Sequence, residues 1–153
     1  MLTVIDIFYK FVRIVSLKRK TGQEVANAFS TILKVRKPSK IWVDKGREFY
    51  NIDVQELVEL YSTENEEKTC VMERCNGTIK EKMFKYFHAN NGRKFVDVLY
   101  LRIDQYNNAI HSSIKMTPKK ASSKENENKV WINLYSEFVG KTLTPNFRLV
   151  IML

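Results

Sequence analysis

The sequence predicts an α/β domain, a mixed sheet flanked by helices, on three observations. The chain opens on an apolar, β-branched hairpin pattern. A strongly amphipathic helical pattern follows it and leads into a short buried strand at Ile41-Trp42-Val43. Two more helical patterns then occupy residues 71–110. A chain of 153 residues with 44% apolar and 28% charged side chains can build one sizeable core, which excludes disorder over its whole length.

Residues 2–8, with Leu2, Val4, Ile5 and Phe8, read as a buried strand that begins at once, with no lead-in loop. The chain therefore starts inside its own core, as a compact or a truncated chain would. A second strand over 11–17 follows Tyr9-Lys10, which makes a hairpin with a tight turn. Thr21 is an N-cap with Glu24 at the capping-box spacing, and Val25, Ala28, Phe29, Ile32 and Leu33 recur at helical intervals, so a helix is expected over 21–35. Pro38 stops it, and the strand at Ile41-Trp42-Val43 ends on Asp44. Leu57, Val58 and Leu60 mark a weaker helix, and the polar residues 62–69 read as a loop.

From 71 to 88 the pattern is helical, with Met72, Ile79, Met83 and Phe87 on one stripe and Glu73, Asn76 and Lys80 on another. A further helix carries Phe95, Val98, Leu99, Ile103, Tyr106 and Ile110. A loop then runs from His111-Ser112-Ser113 to Thr117-Pro118. Residues 123–129 have the composition of a linker. Val130, Trp131, Leu134, Tyr135 and Phe138 suit one short helix, and 147–152 reads as an isolated strand in need of a sheet. The expected division is a core over 1–122 and a tail over 123–153.

Lys and Arg total 26 against 17 Asp and Glu, a formal charge of +9, which favours a polyanionic partner over a merely solvated basic surface. No apolar run is long enough to span a bilayer and no secretion signal opens the chain, so no membrane role is expected and the location expected is intracellular. Cys70 and Cys75 match no common zinc spacing and read as free thiols.

Metal-dependent phosphoryl transfer needs carboxylates converging from separate elements, because two hard cations about 4 Å apart must be ligated by oxygen beside the scissile phosphate. Asp44, at the end of a buried strand and followed by a glycine turn, suits that role. Glu73 lies one turn before Asn76 and two before Lys80, so acid, amide and ammonium share one helix face. Each also has an ordinary alternative, Asp44 as a turn cap and Glu73 as a favourable charge near a helix start. Lys45, Arg47, Lys80, Lys82, Lys85 and Arg93 are candidates for phosphate contacts or for solvated surface. His111 reads as a local hydrogen-bonding residue, Trp42, Trp131 and Phe87 as packing residues, and Tyr86 as the one aromatic open to base stacking.

Three motifs in order carry a family resemblance. Trp42-Val43-Asp44-Lys45-Gly46-Arg47-Glu48-Phe49 has the form D-x-G-x-E-F. Val71-Met72-Glu73-Arg74-Cys75-Asn76-Gly77-Thr78-Ile79-Lys80 has the form V-x-E-R-x-N-x-T-x-K. Tyr106-Asn107-Asn108, His111-Ser112-Ser113 and Thr117-Pro118 with Ala121 close the series. Together, from Leu2 to about Trp131, they resemble the catalytic core of retroviral and retrotransposon integrases, the ribonuclease-H-like DDE recombinases, and most of all those of cellular transposons. The resemblance implies a ribonuclease-H-like sheet, Asp44 and Glu73 as catalytic residues and metal ligands, and Mg²⁺ or Mn²⁺ as cofactor in an active enzyme. It also implies DNA contacts from Lys45, Arg47, Asn76, Lys80 and Lys85, a homo-oligomer and a nuclear location.

Departures from the family pattern qualify that expectation. Family members carry their first aspartate on an opening strand that precedes a hairpin of the type at 2–11, so Asp6 falls in the register of the second strand. Asp6 and Asp44 are 38 positions apart, fewer than the family places between its first two acids. Asp6 therefore reads as structural, and the ribonuclease-H-like sheet as incomplete, with its opening strand missing. The 29 positions from Asp44 to Glu73 are also short for the family, Gly77 is unfavourable inside a helix, and 144–148 resembles the entry to a C-terminal barrel of which only a remnant is left. The expected function is nucleic-acid binding linked to DNA integration, with impaired catalysis. The alternative is an active metal-dependent strand-transferase or endonuclease using Asp6, Asp44 and Glu73.

Overall fold

The computed structural model describes residues 1–34, 38, 40–43, 49–50, 52–55, 60–61, 66–90, 95–136 and 148–152. Strands β1 (Leu2–Asp6) and β2 (Val12–Val15) form the opening hairpin, α1 (Gly22–Leu33) follows, and β3 (Lys40–Val43) leads to α2 (Ile52–Gln55) and β4 (Leu60–Tyr61). Then come α3 (Glu66–Asn90), α4 (Phe95–Asn108), α5 (Pro118–Ala121), α6 (Glu127–Tyr135) and β5 (Arg148–Met152). The strands make one sheet in the order β2-β1-β5-β3-β4.

Alternation along the strands sorts the core into two layers. Leu2, Val4, Ile41 and Val43 pack against Val25, Ala28, Phe29 and Ile32 of α1 on one face. On the other, Ile5, Val12, Ile14 and Trp42 pack against Met72, Cys75 and Ile79 of α3 and Leu99 and Ile103 of α4. Each fully buried large aliphatic or Phe side chain there contributes about 1.5–3 kcal/mol over its exposed state. The helix α1 starts as its residues dictate: Thr21 Oγ1 accepts from Glu24 N, while Glu24 Oε2 reaches back to accept from Arg19 N at 2.7 Å. A third cluster joins Phe8 and Tyr9, at the hairpin turn, to Ile114, Ala121 and Val130, which fastens α5 and α6 to the end of the sheet. Asn107 closes the β2 edge, its Oδ1 accepting from Val12 N at 2.9 Å and its Nδ2 donating to Val12 O at 2.8 Å.

Four segments differ from the sequence reading. Leu60, read in a helical stripe, lies in β4, which runs parallel to β3 through Ile41↔Leu60 and Trp42↔Tyr61. The helix α3 begins at Glu66, inside the stretch read as loop, where acidic residues favour a helix N-terminus. The linker-like stretch 123–129 is a 3₁₀ turn over Lys124–Asn126 running into α6. The terminal strand is not isolated. β5 sits at the centre of the sheet, antiparallel to β1 through Thr3↔Met152 and Ile5↔Val150, and parallel to β3 through Trp42↔Val150 and Val43↔Ile151. The central place in the sheet is thus taken by the last of the described strands. A buried sheet strand cannot leave its backbone N–H and C=O groups unpaired, and Leu149-Val150-Ile151 is apolar and β-branched enough to take the place.

Candidate nucleic-acid interface and carboxylate site

Helix α3 presents three stripes. Met72, Cys75 and Ile79 are buried against the sheet in the cluster that holds Trp42 of β3. Glu73 and Lys80 are exposed and Asn76 is half-buried, at i, i+7 and i+3, so the carboxylate, amide and ammonium do line one face. Trp42, on the strand whose chain runs on into Asp44, belongs to the same buried cluster as this helix face. Arg74, Thr78 and Lys82 form the third stripe, at i, i+4 and i+8.

Asp44, Lys45 and Arg47 lie outside the described residues. The segment that holds them is bracketed by two buried anchors, Val43 and Phe49, both in the α1-side cluster, with the Phe49 ring edge-on to Phe29 at 6.1 Å between centroids. The aromatic of the D-x-G-x-E-F motif is therefore a packing residue. Lys85 is about 18 Å along the axis from Glu73, three turns on, and its Nζ donates to Glu81 Oε1 at 2.6 Å. The structure does not bring it to the Glu73 face.

Asp6 is 3% exposed, and its Oδ1 accepts from Phe8 N at 3.0 Å and Tyr9 N at 3.1 Å. Both bonds shape the hairpin turn, the structural part read for it in the sequence. Among the described residues no three His, Cys, Asp or Glu side chains converge to hold a metal.

Other motif residues have local tasks. His111 Nδ1 and Ser113 Oγ are 3.0 Å apart, and His111 N donates to Met116 O across a short bridge, as a local hydrogen-bonding residue does. Trp42 is buried and Trp131 packs at 5.9 Å on Tyr135. The Arg102 guanidinium lies over one face of the Tyr86 ring, 5.4 Å from its centroid. Burial pushes the Cys75 thiol up to about 11, against the opposing pull of its hydrogen bond with Tyr106. Among the described residues no helix is long and apolar enough to cross a membrane.

No family model matches the sequence. A putative uncharacterized transposon-derived protein of Caenorhabditis elegans is 37% identical over 125 residues, 77% of this chain and 44% of the relative. The chain thus spans less than half the length of that relative. Among solved structures, the catalytic core domain of HTLV-2 integrase in complex with magnesium, in its trimeric form, superposes with a TM-score of 0.65 at 22% identity, over 78% of this chain and 82% of that one. The catalytic core of BIV integrase gives 0.69 at 15% identity, over 84% and 88%. The fold is that of an integrase catalytic core. On this integrase-core frame, the helix that carries Glu73 and the strand that leads to Asp44 contribute Met72 and Trp42 to one cluster.

Sequence reasoning missed Lys10 and Arg74. Lys10 read as part of a tight turn, yet it is 8% exposed with φ 59°, and burial holds its ammonium below the ordinary lysine range, with Asp6 opposing that shift and Arg74 adding to it. The only available signal was a non-glycine residue at the left-handed position of a hairpin turn.

Proposed function

We propose that the protein is a transposon-derived integrase core that binds DNA and is impaired in strand cleavage and transfer. The transposon derivation of the C. elegans relative, the integrase-core fold and the charge of +9 support the lineage and the polyanionic partner. The observation that carries the impairment is the sheet centre: β5 reads Arg-Leu-Val-Ile-Met, with no carboxylate, and Asp6 is held in its turn. Asp44 and Glu73 are then two acids where the family uses three. On this reading Asn76 and Lys80 donate to phosphate oxygens from the exposed face of α3, with Lys45 and Arg47 beside Asp44. Lys85, paired to Glu81, is the weakest contact. Self-association and a nuclear location go with the same reading.

The test is duplex binding across a salt series, together with plasmid nicking in Mg²⁺ and in Mn²⁺. Affinity should fall linearly on logarithmic axes as salt rises, and Lys80→Ala should reduce that slope by about one. No nicking is expected. Salt-insensitive binding, or none, would refute the DNA reading. Nicking abolished by both Asp44→Asn and Glu73→Gln would refute the impairment, and its loss in Asp6→Asn would make Asp6 the third acid.

A further inference from the structure

On the third stripe of α3, away from Glu73, lies a cavity of about 450 Å³, within the range of small-ligand sites. Its cationic and hydroxyl lining comes from three elements: Lys10 from the hairpin turn, Arg74 and Lys82 from α3, and His111, Ser112 and Ser113 from the loop after α4. Among the described residues no carboxylate lines it. The floor is weakly polar, formed by Cys75 and Tyr106.

The Lys10 ammonium is what sets this cavity apart from a patch of surface lysines. Its side chain is more than nine-tenths buried, on a backbone in the left-handed region that a side chain rarely adopts. Burial, more than any charge, holds Lys10 below the ordinary lysine range, and Asp6 attracts it more strongly than Arg74 repels it; burial, then Lys10 and Arg74, act against protonation of His111. Asp6 itself has its Oδ1 on two backbone amides. Three cationic side chains around one recess, next to hydroxyl donors, can give an entering anion charge-assisted hydrogen bonds from several directions.

We propose that this cavity binds a phosphate group, with Lys10, Arg74 and Lys82 as its cationic ligands and the Ser112 and Ser113 hydroxyls as its neutral donors. A phosphate monoester matches it better than a carboxylate, because its three terminal oxygens can be shared among donors that arrive from three directions. The source is either the terminal phosphate of a nucleic-acid strand or a free phosphate or small phosphate ester. The inference is independent of the Glu73 face, since no residue of the cavity belongs to that stripe.

The experiment titrates the full chain with inorganic phosphate, adenosine monophosphate, and a short oligothymidylate bearing either a 5′-phosphate or a 5′-hydroxyl. Amide resonances report where each binds. Inorganic phosphate should shift the amides of Lys10 and of 109–113, and Lys10→Met should weaken its binding at least tenfold while keeping the buried stem. Lys82→Ala, at the rim, should weaken it several-fold, and Lys129→Ala, an equal loss of charge on α6, should not. Preference for the 5′-phosphorylated strand, at least tenfold over both its 5′-hydroxyl form and inorganic phosphate, assigns the site to nucleic-acid ends. Equal affinity for all the phosphates assigns it to free phosphate. Absence of binding by every phosphate probe at millimolar concentration, shifts elsewhere on the protein, or binding unaltered in both Lys10→Met and Lys82→Ala would overturn the proposal.

Discussion

At the scale of single residues, the side chains that look alike in the sequence separate by what surrounds them. Asp6 and Glu73 are both acids near the resemblance motifs, but one is buried and bonded to two amides while the other is exposed on a helix. Burial and the charges of Lys10 and Arg74 hold His111 below the usual histidine range. The unfolded chain therefore takes up a proton near pH 6.5 that the folded state refuses, and stability is lost as pH falls below that value. Urea midpoints measured between about pH 5 and 8 should show this acid slope, and His111→Gln should flatten it. An unchanged slope would mean that His111 is protonated as easily folded as unfolded. Asp6 was legible as structural from its place in the hairpin register. Lys10 was not, because its burial depends on α3 and the 109–113 loop arriving from distant sequence.

Among the elements, helices declared themselves most clearly, since a 3.6-residue repeat with a cap is local information. Thr21 and Glu24 mark the start of α1 as expected. The first turn of α3 was hidden because Glu66 and Glu67 carry no apolar stripe, and helix-dipole stabilisation leaves no periodic trace. Inside α3, Gly77 is exposed and a Cβ built on it meets nothing within 4 Å. Gly77→Ala should then stabilise the protein by about 1 kcal/mol, the intrinsic helix cost of glycine, read as a higher urea midpoint with the slope unchanged. A destabilised variant would show that the helix is distorted at that turn. The test also bears on the site, because position 77 follows Asn76 on the candidate DNA-facing stripe.

For the molecule as a whole, strand pairing was the part no local pattern could reveal: which edges β5 joins depends on which edges the rest of the chain leaves open. Val150 is the residue to probe, paired with Ile5 on one side and Trp42 on the other. Val150→Pro removes a backbone donor from a central strand, where proline is not tolerated, and should cost at least the 1–3 kcal/mol of an unsatisfied buried group. Hydrogen exchange should speed up at the amides of both β1 and β3, and unaltered protection in either would show that β5 is not its neighbour. This placement has a consequence for how the chain acquires its shape. Thr3 pairs with Met152, 149 positions away, so the sheet is stitched together by a contact very distant in sequence. Such long loops close slowly, and folding rates fall as contacts become more distant in sequence. During synthesis the hairpin and β3 must wait with exposed edges until β5 emerges, an interval in which they are open to pairing with other chains.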